Sequence, residues 1–289
     1  WRHPSEQQMI QVDIDGHVLG ANKPAALAVL ADAKLFLAAL ADRLASLTGR
    51  MNLDSRRRKV TNYRRKAQEE RAKLDEKLTD MAVPMNPAHV AHVCEQVFPA
   101  ESVLVADGGN TAVWAMMFTQ SRVPNTILST FKMGMLGAGV AQATGAAVAR
   151  PEHPVCCIIG DGAMGFHPQE VETAVRNGLR VVYVVLCDKQ WGMVKMNQQF
   201  MLKPIKTLIK KSLGPDETIK ADLGEIRFDD LARSMGAHGE RVADPRELKG
   251  ALERAIASGG PAVVHVDVDP VKHMWAPGLM HFKDMHQEP

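Results

Sequence analysis

Three short stretches of this sequence place carboxylate or amide side chains beside glycine immediately after apolar runs. Val103–Ala106 leads into Asp107-Gly108-Gly109-Asn110-Thr111. Val155–Ile159 leads into Gly160-Asp161-Gly162-Ala163-Met164-Gly165, and Val181–Cys187 into Asp188-Lys189-Gln190-Trp191-Gly192-Met193. An Asp between glycines at a strand end can point its carboxylate at a hard cation, while adjacent backbone N–H groups meet the phosphate which that cation bridges. The same tripeptide is also common in plain turns. Asn110 and Thr111 stand where a helix begins, and serve there either as an ordinary helix cap or as part of an anion cradle. Asp188 follows Asp161 by 27 residues, room for one helix and one strand. A right-handed crossover then sets the two loops side by side. Two converging carboxylates with a nearby backbone carbonyl suit Mg²⁺, which takes further oxygens from a phosphorylated ligand.

The elements that must position these loops alternate between β and α patterns from Asn86 to about Asp269. Strand-like apolar runs occur at Ser102–Ala106, Val155–Ile159, Val181–Cys187 and Ala262–Val268. Helical stretches occur at Asn110–Gln120, Gly137–Ala149, Pro168–Asn177, Phe228–Met235 and Pro245–Ser258. Continuous Val/Ile/Leu runs separated by helices predict an α/β fold, a doubly wound and mainly parallel sheet with helices on both faces. Ligands of such sheets bind beyond the carboxyl ends of the strands. Gly134, Gly137 and Gly139 superficially suggest a dinucleotide fingerprint, but the GxGxxG spacing is not met and no strand directly precedes them, which argues against NAD.

Upstream, Met9–Asp15 alternates like a strand ended by Gly16, and Ala25–Leu47 follows a helical period. Arg50–Lys77 is a polar segment with few helix breakers, holding eleven basic and five acidic residues. It is read as a solvated linker helix. The rival reading is a nucleic-acid-binding module through the Arg56–Lys66 cluster, although Tyr63 is its lone aromatic for base stacking. The expected organisation is therefore residues 1–48 as the end of one domain, 49–85 as a basic helical linker, and 86–289 as a complete α/β domain.

Composition narrows the partners. The 289 residues carry 35 Lys and Arg against 33 Asp and Glu, so no global field favours nucleic acid or an anionic membrane. Cys94, Cys156, Cys157 and Cys187 form no CxxC pair or disulfide framework and mostly sit in apolar runs, as buried thiols do. No apolar run reaches the ~18–20 residues of a membrane span, and no signal-peptide layout is present. The expectation is a reduced, cytoplasmic protein with no membrane partner. Lys195, Lys203, Lys206, Lys210 and Lys211 follow the third loop, as a mobile lid or as a solvated charged face. His273, His281 and His286 near the C-terminus give no metal quartet, leaving a tail histidine near the substrate as the open alternative.

The run from Gly160 to Met193 resembles the cofactor motif of thiamine diphosphate-dependent enzymes. Further motifs are similar to those of the branch containing acetolactate synthase: Asp107–Trp114, Met133–Gly139, Gln169–Ala174, Gln190–Val194 and Trp275–Gly278. Asp13-Ile14-Asp15 and the helix after it resemble the end of that family's middle domain. The resemblance implies the thiamine diphosphate-binding fold, thiamine diphosphate and Mg²⁺ as cofactors, and a 2-oxoacid substrate. It implies Asp161 and Asp188 as metal ligands by side chain and Gln190 by its carbonyl. Asn110, Thr111, Gly162, Ala163 and Met164 would hold the diphosphate, with Gly160, Gly192, Met193 and Val194 completing the cofactor site. Leu136 would be the wedge under a bent cofactor, and Gly134 would offer its carbonyl to the aminopyrimidine. Asp188 stands where the family usually has Asn, and the neighbourhood of Asn197 lacks the Trp of the acyl-acceptor pocket. The activating glutamate belongs to the family's N-terminal pyrimidine-binding domain, so no catalytic residue is assigned within this chain. From the start at Trp1, the expectation is a fragment or a split subunit that works as a homo-oligomer (dimer or tetramer) or with a separate chain, with FAD in the missing part left open. The implied activity is 2-oxoacid decarboxylase or carboligase of acetolactate synthase type. The alternatives are a 2-hydroxyacyl-CoA lyase, a benzoylformate decarboxylase-like enzyme, or a non-catalytic subunit.

Overall fold

The computed structural model describes residues 6–47, 49, 52–129 and 133–278. Lys132, His281 and His286, and the Trp1 end of the chain, lie outside the described residues. Two compact units are present, residues 1–70 and 71–289.

In the first unit, β1 (Ile10–Asp13) pairs in parallel with β2 (Leu27–Leu30), Ile10 opposite Leu27. α1 (Ala33–Ala45) follows, its first turn capped by Asp32, whose carboxylate accepts from the Leu35 N–H at 3.0 Å. The helix expected from Ala25 thus starts eight residues later. The contiguous apolar run Leu27–Leu30 extends against β1, and the cap at Asp32 marks the helix start that apolar spacing alone does not resolve. α2 (Leu53–Asp75) is the helix expected of the basic segment, with Arg65 and Glu69 paired at 2.6 Å along one face. The division between units falls inside α2. Arg71 belongs with the second unit: it donates to the Met117 carbonyl at 2.9 Å and lies 5.3 Å from the Phe118 ring centroid. Among the described residues no helix is long and apolar enough to cross a membrane.

The second unit continues with α3 (Pro87–Val97), β3 (Leu104–Asp107), α4 (Asn110–Phe118), β4 (Ile127–Ser129), α5 (Ala138–Ala149), β5 (Val155–Gly160) and α6 (Asp161–Met164). There follow α7 (Glu170–Arg176), β6 (Val181–Cys187), α8 (Gly192–Leu202), α9 (Pro204–Lys210) and α10 (Phe228–Ser234). The chain then forms β7 (His238–Val242), α11 (Pro245–Ala257), β8 (Ala262–Asp267) and α12 (Pro270–Met274). Six strands form one sheet in the order β4-β3-β5-β6-β8-β7, every neighbouring pair parallel. The chain runs from β3 outward to β4 and then returns to the other side of β3 as β5, a topological switch point between β3 and β5.

Both faces of the sheet are covered. Along β6, Val182, Val184 and Leu186 join one core with α3, α4 and α11, while Val181, Tyr183, Val185 and Cys187 join another with α5 and α10. Alternation of side chains across a strand buried on both sides produces this division, and all four cysteines are free and buried within it. β4 and β7 are edge strands absent from the predicted set. β4 has three residues and β7 (His-Gly-Glu-Arg-Val) is polar, as edges are, so neither shows a continuous apolar run.

At the head of α5 the packing beside the switch point is close. The Gly139 N–H donates to Asp107 Oδ2 at 2.7 Å, and a Cβ on Gly139 would lie 2.4 Å from Asp107 Cβ. Gly139→Ala is therefore expected to lower stability by about 1–3 kcal/mol, the usual cost of overpacking, read as a lower urea midpoint at unchanged slope.

Candidate functional site

The loops after β3, β5 and β6 lie side by side because those strands are neighbours in the sheet, and they border a cavity of about 380 Å³. Asn110, Thr111, Gly134, Leu136, Gly160, Asp161, Gly162, Ala163, Asp188, Gln190, Gly192, Met193 and Val194 all line it. Met164 does not. α6 is a single turn that rotates this side chain into the core beneath, leaving it 1% exposed.

The two carboxylates are held by the backbone. Asp161 Oδ1 accepts from the Gly162 N–H at 2.7 Å, and Oδ2 from the Lys189 N–H at 2.8 Å. Lys189 takes a left-handed φ of 59°, a conformation that non-glycine residues adopt when the surroundings enforce it. The β5 and β6 loops are thus tied through Asp161. Burial pushes the Asp161 carboxyl up to about 6, and the nearby charge of Asp188 adds to the effect. On Asp188, Gln190 Nε2 donates to Oδ2 at 3.1 Å, and the Gln190 N–H lies 3.3 Å from Oδ1.

Asn110 fits a ligand-binding role for a different reason. It opens α4 on the cavity wall, 3% exposed, with both amide atoms buried and lacking a hydrogen-bond partner. Buried amides are normally paired, so this one suits a polar ligand entering the cavity. Gly192 makes the junction possible: a Cβ there would lie 2.9 Å from Asn110 Nδ2 and 3.3 Å from Asp188 Oδ2. Among the described residues no group of three or more His, Cys, Asp or Glu is arranged for a metal ion. A cation between Asp161 and Asp188 would complete its shell from carbonyl and ligand oxygens, which suits a hard ion such as Mg²⁺ more than Zn²⁺.

The cavity also has walls absent from the expected set. Gly108, Gly109, Val113, Trp191, Asn197 and His273 line it. Trp191 seats its ring against Gly162, and a Cβ there would lie 2.6 Å from the indole. His273 arrives from α12, because β8 pairs with β6 and delivers the following helix to the same edge. The lysines after the third loop lie on α8 and α9 and just beyond. Lys195 is buried and paired with Asp222 at 2.6 Å, Lys203 and Lys206 both meet Glu217, and Lys211 sits over the Trp275 ring. No glutamate among the described residues lines the cavity.

A family model described as "Thiamine pyrophosphate enzyme, C-terminal TPP binding domain" matches residues 107–266. Acetolactate synthase large subunit IlvG of Mycobacterium tuberculosis is 35% identical over 195 residues, covering 67% of this chain and 33% of that protein. 2-Hydroxyacyl-CoA lyase 2 of Caenorhabditis elegans is 31% identical over 170 residues, covering 59% of this chain and 24% of that protein. The chain spans about a third of the length of the first curated relatives it matches. Benzoylformate decarboxylase from Polynucleobacter necessarius superposes with a TM-score of 0.57 at 24% identity, over 65% of this chain and 34% of that one, a likeness of fold.

The electrostatics of Asp161 set a pH dependence. Its folded pKa of about 6 lies above the ordinary carboxylate value, so its contribution to stability is complete below pH ~4 and is lost as pH rises through 6. The metal-free protein should lose on the order of 3 kcal/mol through this at pH 7.5. Added Mg²⁺ and thiamine diphosphate should therefore raise the melting temperature more at pH 7.5 than at pH 5. Differential scanning calorimetry at the two pH values checks the sign.

Proposed function

Since the chain belongs to the thiamine pyrophosphate enzyme family, through its C-terminal TPP-binding domain, we propose that the cavity at the β3/β5 switch point holds thiamine diphosphate and Mg²⁺. Asp161 and Asp188 hold the metal by side chain and Gln190 by its carbonyl. Asn110, Thr111, Gly160, Gly162, Ala163 and the backbone of Met164 face the diphosphate. Leu136, half-buried on the cavity wall, supplies apolar bulk beneath the rings, and Gly134 contributes its carbonyl. Gly192, Met193 and Val194 complete the cofactor site beside the head of α4. The observation that carries this reading is the meeting of two buried carboxylates with an unpartnered buried amide at one sheet edge. A divalent ion and a diphosphate together neutralise the first and satisfy the second.

When bound, thiamine diphosphate supplies the nucleophilic carbon and the electron sink for breaking the bond next to a 2-oxoacid carbonyl. This chain's own residues bind and orient it. Gly162 and Lys189 hold Asp161 through their N–H groups, and the apolar walls at Leu136, Met193 and Val194 limit water. The family resemblance puts the activating carboxylate on a pyrimidine-binding domain. The working unit is accordingly a homo-oligomer, or an assembly with a chain that carries the pyrimidine-binding domain. The activity that the similarities favour is 2-oxoacid decarboxylation and carboligation of acetolactate synthase type. A 2-hydroxyacyl-CoA lyase is the second reading, supported by the 31% identity to such an enzyme.

Thermal melting with thiamine diphosphate and Mg²⁺ tests the site. Wild type should gain about 2–3 kcal/mol at ligand concentrations near a hundredfold above Kd, and Asp161→Ala should lose the metal-dependent part of that gain. The absence of a wild-type shift refutes the reading. Product analysis of the assembled protein with pyruvate alone, then with pyruvate plus an aldehyde or an acyl-CoA, separates the two activities.

A further inference from the structure

The α12 segment enters the cavity through one side chain. His273 is 4% exposed, with Nδ1 2.6 Å from Asp188 Oδ2 and Nε2 2.9 Å from Thr111 Oγ1. It therefore spans the β6 loop and the head of α4, two segments assigned above to metal and to diphosphate. We propose that His273 is a positioning residue for the cation site: it ties up one oxygen of Asp188 so that the other faces the metal, and it holds Thr111 in register with that oxygen. This rests on the reading of the cavity given above.

The chemistry of the contact sets the direction of the hydrogen bond. An ionised carboxylate only accepts, so His273 Nδ1 carries the proton it shares with Asp188. Oδ2 then receives two donors, His273 Nδ1–H and Gln190 Nε2–H, the second at 3.1 Å. Oδ1 has only the longer 3.3 Å approach of the Gln190 N–H. The two oxygens are thus unequal: Oδ2 is committed to protein donors, and Oδ1 keeps a lone pair for a cation. An asparagine at 188 could not serve both ends, because only one of its two terminal atoms accepts.

His273 is itself immobilised, as a positioning group must be. Its carbonyl accepts from Trp114 Nε1 at 2.9 Å, fastening α12 to α4. Lys272 Nζ meets Asp80 Oδ2 at 2.6 Å, and the Asp269 carboxylate caps the helix through the Val271 and Lys272 N–H groups. Gln190 Nε2 also donates to the Pro270 carbonyl at 2.8 Å, so α12 and the metal loop are joined twice. Loss of the imidazole would leave Asp188 Oδ2 with Gln190 Nε2 as its remaining donor, a weaker hold on the carboxylate, while both backbones stay in place.

The test titrates Mg²⁺ at saturating thiamine diphosphate, following the melting temperature of the full chain, with the metal-free melting temperature recorded for every variant. His273→Ala should need ten- to a hundredfold more Mg²⁺ for half-maximal stabilisation, the usual range for removing a group that orients a metal ligand. His273→Asn, whose amide N–H can replace Nδ1–H, should return to within about threefold of wild type. Adding His273→Ala to Asp188→Asn should cost little beyond Asp188→Asn alone, because the two changes break one interaction. If His273→Ala lowers the metal-free melting temperature but leaves the Mg²⁺ midpoint unchanged, the residue is a core filler and the inference is overturned. If the double variant is additive, the inference is likewise overturned. A wild type lacking any Mg²⁺-dependent shift overturns the reading of the cavity, a result distinct from either.

Discussion

Two carboxylates buried side by side, with the positive charge that would offset them left to a ligand, are the constraint on which the rest of this structure turns. Asp161 and Asp188 are each less than a tenth exposed, and burial, with the nearby charge of Asp188 adding to it, raises the Asp161 carboxyl to about 6. A fold retains such an arrangement only where the surroundings hold it. Here Asp161 is held by the backbone N–H groups of Gly162 and Lys189, and Asp188 by Gln190 and the His273 ring. In the reading proposed above, a bound dication would relieve this cost, and folding of this sheet edge and binding at it would be one coupled equilibrium.

The parallel sheet supplies the rigidity this requires. With β3, β5 and β6 adjacent and both faces packed, the ends of the three strands shift only if the cores beneath them shift. The site gains its third dimension from the segments that leave the strands. α4 turns Asn110 and Thr111 inward, the β6 loop brings Asp188 and Gln190, and β8 hands the chain to α12. The glycines that line this edge mark close approaches, Gly139 against Asp107 and Gly192 against Asn110. Larger residues there would separate the loops that the hydrogen bonds join.

Much of this was legible in the sequence, for physical reasons specific to each residue. Buried strands write continuous apolar runs, so β5, β6 and β8 could be read directly. The right-handed crossover rule then placed Asp161 beside Asp188 without any knowledge of side-chain positions. Edge strands write no such run, and β4 and β7 went unread. In the first unit, Leu27–Leu30 carried an apolar pattern that helix and strand share, and pairing with β1 decided it. Met164 was placed by its neighbours in the motif, but in a one-turn helix successive side chains diverge by about 100°, and this one turns into the core. His273 stood in the sequence only as one of three tail histidines. Nothing in a linear pattern says that β8 inserts between β6 and β7, and that insertion is what brings α12 to the cavity.

The strand order also explains how a residue so distant in sequence can govern the site. A loop that follows β6 has one free side, because β5 occupies the other. The segment that follows β8 takes that side, with Asp269 capping and Pro270 opening a short helix. Once there, a side chain that only donates, such as Lys, would satisfy Asp188 but could not accept from Thr111. One that only accepts would repel the carboxylate. Imidazole meets both neighbours in either of the states open to it, with Nδ1–H toward Asp188 and Nε2 accepting from or donating to a hydroxyl that can rotate to suit. Asp188 and His273, 85 positions apart, thus close into a contact in which each partner's chemistry restricts the other's: a carboxylate at 188 can accept the ring N–H and still offer its second oxygen, and the ring stays in place because α12 is fastened to α4 and to Asp80.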